Sequence, residues 1–343
     1  MVWFLVLAAG LWFLGWFLGA PASARWMMIG LLYVAVLALL VIFPEGSPLQ
    51  RSLGGSLGEW LVLGALALVV FGYGRIVGRL KAKAAGRAPA APAGAYAPGE
   101  VERYARHIML REIGGPGQKA LKQAKVLVVG AGGLGSPALM YLAAAGVGRI
   151  GVIDADVVEA TNLQRQIAHA DARIGMPKVF SAEAAMRALN PYVDVRPYHR
   201  RMEEGIAREL VADYDLVLDG TDNFATRYLV NRACVAAGVP LISGALTQWE
   251  GQLSLFDPAQ GTPCYECVFP EAPAPELVPS CAEAGVLGPL PGVVGAMMAA
   301  EAVKEIAGAG QGLGGRMLIF DALWGESRVI GLKRRAGCPV CGG

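Results

Sequence analysis

The chain has no strong excess of charge of either sign and contains little histidine. It carries 30 Lys and Arg residues against 28 Asp and Glu residues, a formal net charge of +2 over 343 residues. A balance this even gives no reason to expect a nucleic-acid partner. The three histidines, His107, His169 and His199, do not have the spacing of metal ligands.

Charged residues are also few in the first eighty residues, where three apolar runs occupy residues 2–20, 27–43 and 60–74. A helix needs about 20 apolar residues to cross a bilayer, so the first two runs predict transmembrane helices. The third run is shorter and marginal. Residues 1–80 are therefore predicted to form a transmembrane segment of two or three helices.

Basic residues without intervening acids follow the third run, namely Arg75, Arg79, Lys81, Lys83 and Arg87. The positive-inside rule places this side of the segment in the cytoplasm. The predicted location is therefore the inner (cytoplasmic) membrane, with the rest of the chain in the cytoplasm. A cleaved signal peptide is the alternative, because residues 22–24 resemble a cleavage site. The lack of a basic N-terminal region and the further apolar runs disfavour it.

Residues 81–99 are rich in Ala and Pro and predict a linker that cannot bury a core. Residues 100–343 are long enough for a sizeable core and predict one α/β domain. Within it, an apolar strand at 125–129 runs into a glycine-rich loop at 130–135. Ser136 is a natural N-cap and Pro137 a natural first residue of the helix that follows. Strand, glycine loop and helix together predict a Rossmann-type nucleotide site.

The glycine loop alone does not distinguish ATP from a nicotinamide dinucleotide. Asp154, at the end of the next strand, could bind ribose in either case. The polar residues that follow the strand ends favour a nucleoside triphosphate with Mg²⁺, because cations offset phosphate charge and carboxylates bind the metal. These candidates are Asn162, Arg165, Gln166, Lys178, Asp222 and Asn223.

Two Cys-x-x-Cys pairs lie far apart in the chain, Cys264 with Cys267 and Cys338 with Cys341. Together they offer the four thiolates of a closed, structural Zn²⁺ site. Redox motifs or simply buried cysteines are the alternatives. A closed site has no open coordination position, so the chemistry of the protein is expected elsewhere.

The ordered motifs resemble the E1-like adenylyltransferases that activate ubiquitin-like sulfur carriers, and the resemblance covers the whole region after the linker. The nearest branches are the molybdopterin-synthase and thiamine-pathway adenylyltransferases. The fold it implies is a Rossmann-like E1 adenylation domain with a mixed sheet and a four-cysteine zinc site. The matching motifs are Arg103-x-x-Arg106, the glycine loop, Asp154-x-Asp156, Asn162-Leu-Gln-Arg165-Gln166, Lys178, Thr221-Asp222-Asn223 and both cysteine pairs.

The resemblance implies a role for each matching position. Gly133 contacts the triphosphate, Asp154 binds ribose, and Asn162, Arg165 and Lys178 surround the phosphates. Asp222 is the carboxylate on which the reaction most depends, near Mg²⁺, and Arg106 reaches the site of a partner subunit in a homodimer. Cys281 takes part in thioester or acyl-disulfide chemistry in some members, and a passive small residue is the equal alternative. Cys234, on an apolar helix, is predicted to be packed in the core.

The implied reaction uses ATP to adenylylate the C-terminal glycine of a sulfur carrier ending in Gly-Gly, most directly the small subunit of molybdopterin synthase. The thiamine-pathway carrier is the alternative substrate. A separate sulfurtransferase is expected to donate the sulfur, because no sulfurtransferase-like sequence follows the cysteine pair. Two hypotheses of another class remain: an NAD-dependent oxidoreductase, and a non-catalytic module that docks the carrier at the membrane.

Overall fold

The structure is a computed structural model, and it describes residues 2–43, 47–85, 96–273 and 285–342. The chain divides into two compact units, Met1–Ala90 and Ala91–Gly343. The boundary falls within residues 81–99, which the sequence assigns to a linker. A helix of the first unit nevertheless continues to Ala85.

The described part of the first unit is helical. Its helices are α1 (Val2–Phe17), α2 (Ala22–Ile42), α3 (Pro48–Leu53) and α4 (Leu57–Ala85). By length and composition, Ser23–Ile42 and Arg51–Arg75 could each cross a membrane, with mean hydropathies of 2.3 and 1.8.

The first apolar run is shorter as a helix than the sequence predicts. α1 has 16 residues, about 24 Å at 1.5 Å per residue, and a bilayer core is about 30 Å thick. Gly19, with φ of 71°, and Pro21 separate α1 from α2. The third run, in contrast, lies within the longer α4. The second and third runs, rather than the first and second, therefore reach spanning length among the described residues.

Trp60 is the centre of a small core in this unit. It packs with Val36 and Leu40 and is 1% exposed. Its indole nitrogen donates to the Gly54 carbonyl at 2.9 Å, and the Tyr33 hydroxyl donates to the Trp60 carbonyl at 2.5 Å. Most other large apolar side chains on these helices are exposed. An exposed apolar surface of this extent is typical of contact with lipid or another protein.

The second unit is built on one sheet. Its strands are β1 (Lys125–Val129), β2 (Arg149–Ile153), β3 (Asp194–Tyr198), β4 (Leu216–Asp219), β5 (Leu241–Leu246), β6 (Glu250–Phe256), β7 (Arg316–Asp321) and β8 (Glu326–Gly331). Their order is β3-β2-β1-β4-β5-β6-β7-β8. The first five in this order are parallel, and β6, β7 and β8 continue the sheet antiparallel. The predicted mixed sheet is confirmed.

The strand order reverses between β1 and β4. The chain passes from β1 to β2 and β3 on one side and then returns to β4 on the other. Val129 and Asp219, the last residues of these two strands, are partners in the register. Ligands of open α/β sheets bind outside the carboxyl ends of the strands at such a reversal. The loops after β1 and β4 are thus the expected place for a site.

Helices cover both faces of the sheet. They are α5 (Glu100–Arg103), α6 (Ala105–Ile108), α7 (Gly114–Gln123), α8 (Gly135–Ala145), α9 (Lys178–Leu189), α10 (Glu204–Ala212), α11 (Phe224–Ala237), α12 (Tyr265–Val268) and α13 (Pro289–Ala307). Because strand side chains alternate between faces, Val126 and Val128 enter the core with α8, α9 and α13, whereas Leu127 and Val129 enter the core with α10 and α11. Both cores are needed to bury β1.

The start of α8 corrects one prediction. The helix begins at Gly135 with Leu134 as its N-cap residue, so Ser136 lies inside the helix and is not the cap. The Ser136 hydroxyl instead donates to the Ala131 carbonyl at 3.2 Å. A Cβ at position 135 would lie 1.8 Å from the Gly130 carbonyl oxygen. Only glycine fits there, and the helix begins two residues earlier than predicted.

Candidate functional site

The glycine loop joins β1 to α8 at the strand reversal. Gly130 has φ of 92°, in the left-handed region that favours glycine. Its amide donates to the Ile153 carbonyl at 2.9 Å, while the Gly220 amide donates to the Val129 carbonyl at 3.0 Å. These bonds tie the loops after β1, β2 and β4 together. The loop therefore leads into the N-terminus of α8, where backbone amides and the helix dipole favour a phosphate.

Asp154, which follows β2, holds the backbone of this loop. One of its carboxylate oxygens accepts from the Ala131 amide at 2.8 Å, and the other accepts from the Asp156 amide at 2.8 Å. A carboxylate offers about four lone-pair sites. Acceptor capacity therefore remains on this half-buried side chain for a ribose hydroxyl, the role predicted from the sequence.

The segment after Asp154 brings predicted residues against the glycine loop. A Cβ at Gly132 would lie 3.7 Å from the side-chain nitrogen Nε2 of Gln166. A Cβ at Gly133 would lie 3.7 Å from Cγ of Arg165. The Arg165 guanidinium donates to the Asn162 side-chain oxygen at 2.9 Å. Gln166 is 4% exposed, and its side-chain oxygen has no hydrogen-bond partner in the part of the chain that the structure describes.

Lys178 begins α9, the helix predicted for residues 178–189, and its side chain is only 7% exposed. Its ammonium group lies 2.9 Å from Asp156, whose side chain is 64% exposed. The Lys178 amide also donates to the Asp156 carbonyl at 2.9 Å. A buried cation is thus held at the edge of the site by a solvated carboxylate.

The loop after β4 carries a carboxylate that the fold leaves free. Asp222 is exposed and makes no hydrogen bond or ion pair with another described residue. Asp219 is fully buried, and one of its oxygens accepts from the Thr221 amide at 3.0 Å and from the Thr221 hydroxyl at 2.7 Å. Asn223 caps α11, with its side-chain oxygen accepting from the Thr226 amide at 2.9 Å. Asp222 is therefore the residue of this loop with a carboxylate available for Mg²⁺.

Arg227 is a structural residue of this site. It is 6% exposed, and its guanidinium donates to the carbonyls of Thr221 and Gly244 and to the Ser243 hydroxyl. It joins the loop that carries Asp222 to β5. Because Ser243 and Gly244 lie 16 and 17 residues further along the chain, the sequence gives no local signal for this role.

His169 is a site residue that the sequence reasoning missed. Its ring is 8% exposed and lies between the Ala131 carbonyl, 2.9 Å from Nε2, and the Ser181 hydroxyl, 2.9 Å from Nδ1. Burial lowers the pKa of His169, and the neighbouring cations Lys178 and Arg173 act in the same direction. The buried imidazole is thus neutral near pH 7. In the sequence, His169 lies between the predicted site residues Gln166 and Lys178, and this position could have identified it.

Two predicted residues are not placed at the strand reversal. Arg106 lies on α6, where its side chain is exposed and has no polar partner among the described residues. Its neighbour Arg103 is anchored and donates to the Leu189 carbonyl at 2.8 Å. Cys281 lies outside the described residues. Cys234 is 2% exposed on α11, and burial raises the pKa of its thiol, which confirms that it is packed in the core.

The four predicted metal ligands converge, although 74 residues separate the two pairs. All their sulfurs lie within 4.8 Å of one another. Three of the separations are 3.8 Å for Cys264–Cys267, 3.7 Å for Cys264–Cys338 and 3.4 Å for Cys267–Cys341. A tetrahedron with Zn–S bonds of about 2.3 Å has edges of about 3.8 Å, so the donors fit Zn²⁺. Burial raises the pKa of the Cys264 thiol, which a divalent cation would counteract by stabilising the thiolate.

The fold and these two clusters define a Rossmann-like nucleotide-binding protein with a four-cysteine metal centre. Residues 104–340 match the model of the ThiF family. The chain belongs to the ThiF family, and the resemblance predicted from its motifs is confirmed.

Named relatives agree with this assignment. The chain is 49% identical over 247 residues to the sulfur carrier protein adenylyltransferase of Thermus thermophilus, covering 71% of this chain and 91% of that protein. It is 49% identical over 266 residues to the adenylyltransferase and sulfurtransferase MOCS3 of Bos taurus, covering 77% of this chain and 58% of that protein. The solved structure of E. coli MccB with ATP has 26% identity and a TM-score of 0.62, covering 70% of this chain and 75% of that one.

Proposed function

We propose that the protein uses ATP to adenylylate the C-terminal glycine of a ubiquitin-like sulfur carrier, specifically the small subunit of molybdopterin synthase. The observation that carries the proposal is the arrangement at the strand reversal. Gly220 and Thr221, which precede the free carboxylate of Asp222, lie against Gly130 of the glycine loop, and Arg165 lies against Gly133. Lys178 pairs with Asp156 in the segment after β2. The names of the two curated relatives and the ATP bound by MccB support the same chemistry.

The reaction is attack by the carrier's terminal carboxylate on the α-phosphorus of ATP. A new C(O)–O–P linkage forms, the bond to the β-phosphate oxygen breaks, and pyrophosphate leaves with that electron pair. The attacking carboxylate is already ionised near neutral pH, so no protein group needs to remove a proton. The contribution of the protein is therefore alignment of the two reactants and stabilisation of phosphate charge.

Each part of the site has a task in this reaction. The glycine loop and the α8 N-terminus receive the phosphates, and Asp154 holds the loop and binds ribose. Asn162, Arg165, Gln166 and Lys178 surround the triphosphate and Asn223 orients the Asp222 loop. Mg²⁺ held by Asp222 would supply further positive charge to the phosphates.

The alternatives of another class make different predictions for binding and turnover. An NAD-dependent oxidoreductase would bind NAD(H) more tightly than ATP in an equilibrium titration. A non-catalytic docking module would bind a carrier but would not exchange labelled pyrophosphate into ATP. Carrier-dependent pyrophosphate exchange at rates well above those without carrier would support the proposal. Its absence with both the molybdopterin-synthase and thiamine-pathway carriers, in protein that binds ATP, would refute it.

The same assay decides the pathway. We propose the molybdopterin branch, and its support is the 49% identity with MOCS3 over 77% of this chain. Faster exchange with the thiamine-pathway carrier at equal concentration would assign the protein to that branch.

We propose a homodimer in which Arg106 of one subunit acts in the site of the other. Its exposed guanidinium without a described partner, beside the anchored Arg103, supports this role. Arg106→Ala and Asp222→Ala chains would each be inactive alone. If Arg106 acts across the dimer, an equal mixture forms one intact site in each heterodimer and recovers about a quarter of the activity. A mixture as inactive as its components would refute this role.

We also propose that the N-terminal unit anchors the enzyme in the inner membrane with its catalytic domain in the cytoplasm. Two span-length apolar segments and the basic residues that follow them support this location. Full-length protein would then remain with membranes after carbonate extraction. Release by carbonate would contradict the anchor.

A further inference from the structure

The backbone of Ala131, the second residue of the glycine loop, is held at both its amide and its carbonyl. Its amide donates to the Asp154 carboxylate at 2.8 Å. Its carbonyl accepts from the Ser136 hydroxyl at 3.2 Å and lies 2.9 Å from Nε2 of His169. Ala131 itself is fully buried. Because the loop has several glycines and little side-chain contact of its own, such bonds decide which backbone conformation it keeps.

Of the two side chains that hydrogen-bond to the Ala131 carbonyl, His169 lies nearer, at 2.9 Å against 3.2 Å for Ser136. A carbonyl oxygen can only accept, so Nε2 must carry the hydrogen, and this assignment follows from the bonding network. Nδ1 of the neutral ring then accepts from the Ser181 hydroxyl at 2.9 Å. The Ser181 oxygen accepts in turn from the Arg173 guanidinium at 3.2 Å. The hydrogen bonds thus run in one direction, from Arg173 through Ser181 and His169 to Ala131.

The far end of this chain of bonds is itself anchored. The Arg173 guanidinium also donates to the Ser181 carbonyl at 2.5 Å and to the Ala168 carbonyl at 3.3 Å. Ser181 lies in α9, which Lys178 begins. The glycine loop is therefore connected by side-chain bonds to the helix that carries a predicted phosphate-binding cation, across 38 residues of sequence between Ala131 and His169.

We propose that His169 is a positioning residue, which fixes the Ala131 peptide and so orders the glycine loop for the triphosphate without touching the nucleotide. This inference rests on the proposed role of the loop as the ATP site. The charged groups around the ring are Lys178 and Arg173, which are cations, and the carboxylate of Asp154. Burial keeps the imidazole neutral, the form that can donate from Nε2 and accept at Nδ1 at once.

Three variants of the full chain test the proposal by isothermal titration with ATP and by steady-state kinetics. His169→Ala removes the bond to Ala131 and is expected to weaken ATP binding about tenfold, with the KM for the carrier unchanged. His169→Gln offers an amide nitrogen at the place of Nε2 and is expected to recover most of the ATP affinity. Ser181→Ala removes the donor to Nδ1 and is expected to have a smaller effect in the same direction.

Gln118→Ala is the matched control. The Gln118 amide donates to the Ala145 carbonyl at 2.8 Å and is fully buried, but this bond is at the C-terminal end of α8, away from the loop. Its loss is expected to lower the melting temperature and leave ATP affinity unchanged. If His169→Ala alters ATP affinity no more than Gln118→Ala does, or if His169→Gln fails to rescue it, the positioning role is overturned. Should His169→Ala not fold, Ser181→Ala decides by the same comparison.

The direct titration separates this inference from the proposed function. Wild-type protein that binds ATP but adenylylates neither carrier would refute the function, and the variants would still test His169. Wild-type protein that does not bind ATP would overturn both.

Discussion

The ammonium group of Lys178 is buried, yet the carboxylate that pairs with it at 2.9 Å, that of Asp156, is mostly in solvent. An exposed carboxylate is stabilised by water whether or not it is paired, whereas a buried cation depends on its partner. A triphosphate next to Lys178 could take over that partnership. We therefore propose that the pair keeps Lys178 ready for an anionic ligand.

Replacing Asp156 tests this relationship. Asp156→Asn is expected to destabilise the nucleotide-free protein by about 1 kcal/mol, a modest value because the carboxylate is solvent-screened. Added ATP is expected to narrow the difference in melting temperature from wild type, because phosphate oxygens then neighbour the cation. Asp194→Asn is the control, because it weakens the half-exposed Arg149–Asp194 pair of the same 2.9 Å length. ATP should not narrow the difference in melting temperature between this variant and wild type. If ATP leaves the difference in melting temperature between Asp156→Asn and wild type unchanged, Lys178 does not lie next to the nucleotide.

Asp222 is expected to be essential for adenylate formation and dispensable for folding. Asp222→Asn keeps the size of the side chain but removes the charge that would bind Mg²⁺, and it breaks no bond within the described structure. We expect carrier-dependent pyrophosphate exchange to fall at least about a hundredfold, with the melting temperature unchanged. Glu209→Gln, an exposed carboxylate on α10, serves as the control. If folded Asp222→Asn protein exchanged pyrophosphate at the wild-type rate, the assignment of Asp222 to Mg²⁺ binding would be refuted.

The four-cysteine cluster is expected to hold one Zn²⁺ per chain. Cys338→Ser should release the metal and lower the melting temperature, because one ligand of a closed site is lost. Cys234→Ser removes a buried thiol outside the cluster and should retain the metal. Elemental analysis of the purified proteins makes the comparison. A wild-type protein without stoichiometric metal would contradict the zinc site.

The lowered pKa of His169 predicts a loss of stability in acid. The folded protein binds the proton less readily than the unfolded chain, whose histidine has a pKa near 6.5. This contribution to stability is therefore complete above about pH 6.5 and declines as the pH falls below it. His169→Gln should show a smaller loss of melting temperature between about pH 7.5 and about pH 5.5 than wild type. Parallel curves for the two proteins would show that His169 does not contribute.

The sequence predicted the elements near the site well where the signal is local. The strand at 125–129 and the helix at 178–189 have the bounds expected from apolar residues and a preceding proline. Both cysteine pairs were found because their ligands and spacing are distinctive.

Other features could not be predicted because they depend on contacts between distant residues. His169 contacts Ala131, 38 residues away, and Arg227 contacts Gly244, 17 residues away, through the fold and not through local sequence. Ser136 is typical of an N-cap, but the sequence does not show that Gly135 already lies in the helix against the Gly130 carbonyl. The length of the first apolar helix was overestimated because a turn at Gly19 and Pro21 ends it early.

The N-terminal unit is expected to be dispensable for the chemistry. None of the motif residues lies within it, and the compact second unit has its own cores. A shortened protein beginning at Pro98 should be soluble, bind ATP and exchange pyrophosphate at the full-length rate. Folded but inactive protein would mean that the removed residues contribute to the site or to dimer assembly.

The most direct test of the proposed adenylylation is mass spectrometry of the carrier after incubation with this protein, ATP and Mg²⁺. We expect a molybdopterin-synthase small subunit ending in Gly-Gly to gain one AMP and a carrier lacking its last glycine to gain none. Asp222→Asn protein should produce no adenylated carrier. An unmodified carrier, with wild-type protein that binds ATP and with the thiamine-pathway carrier equally unmodified, would contradict it.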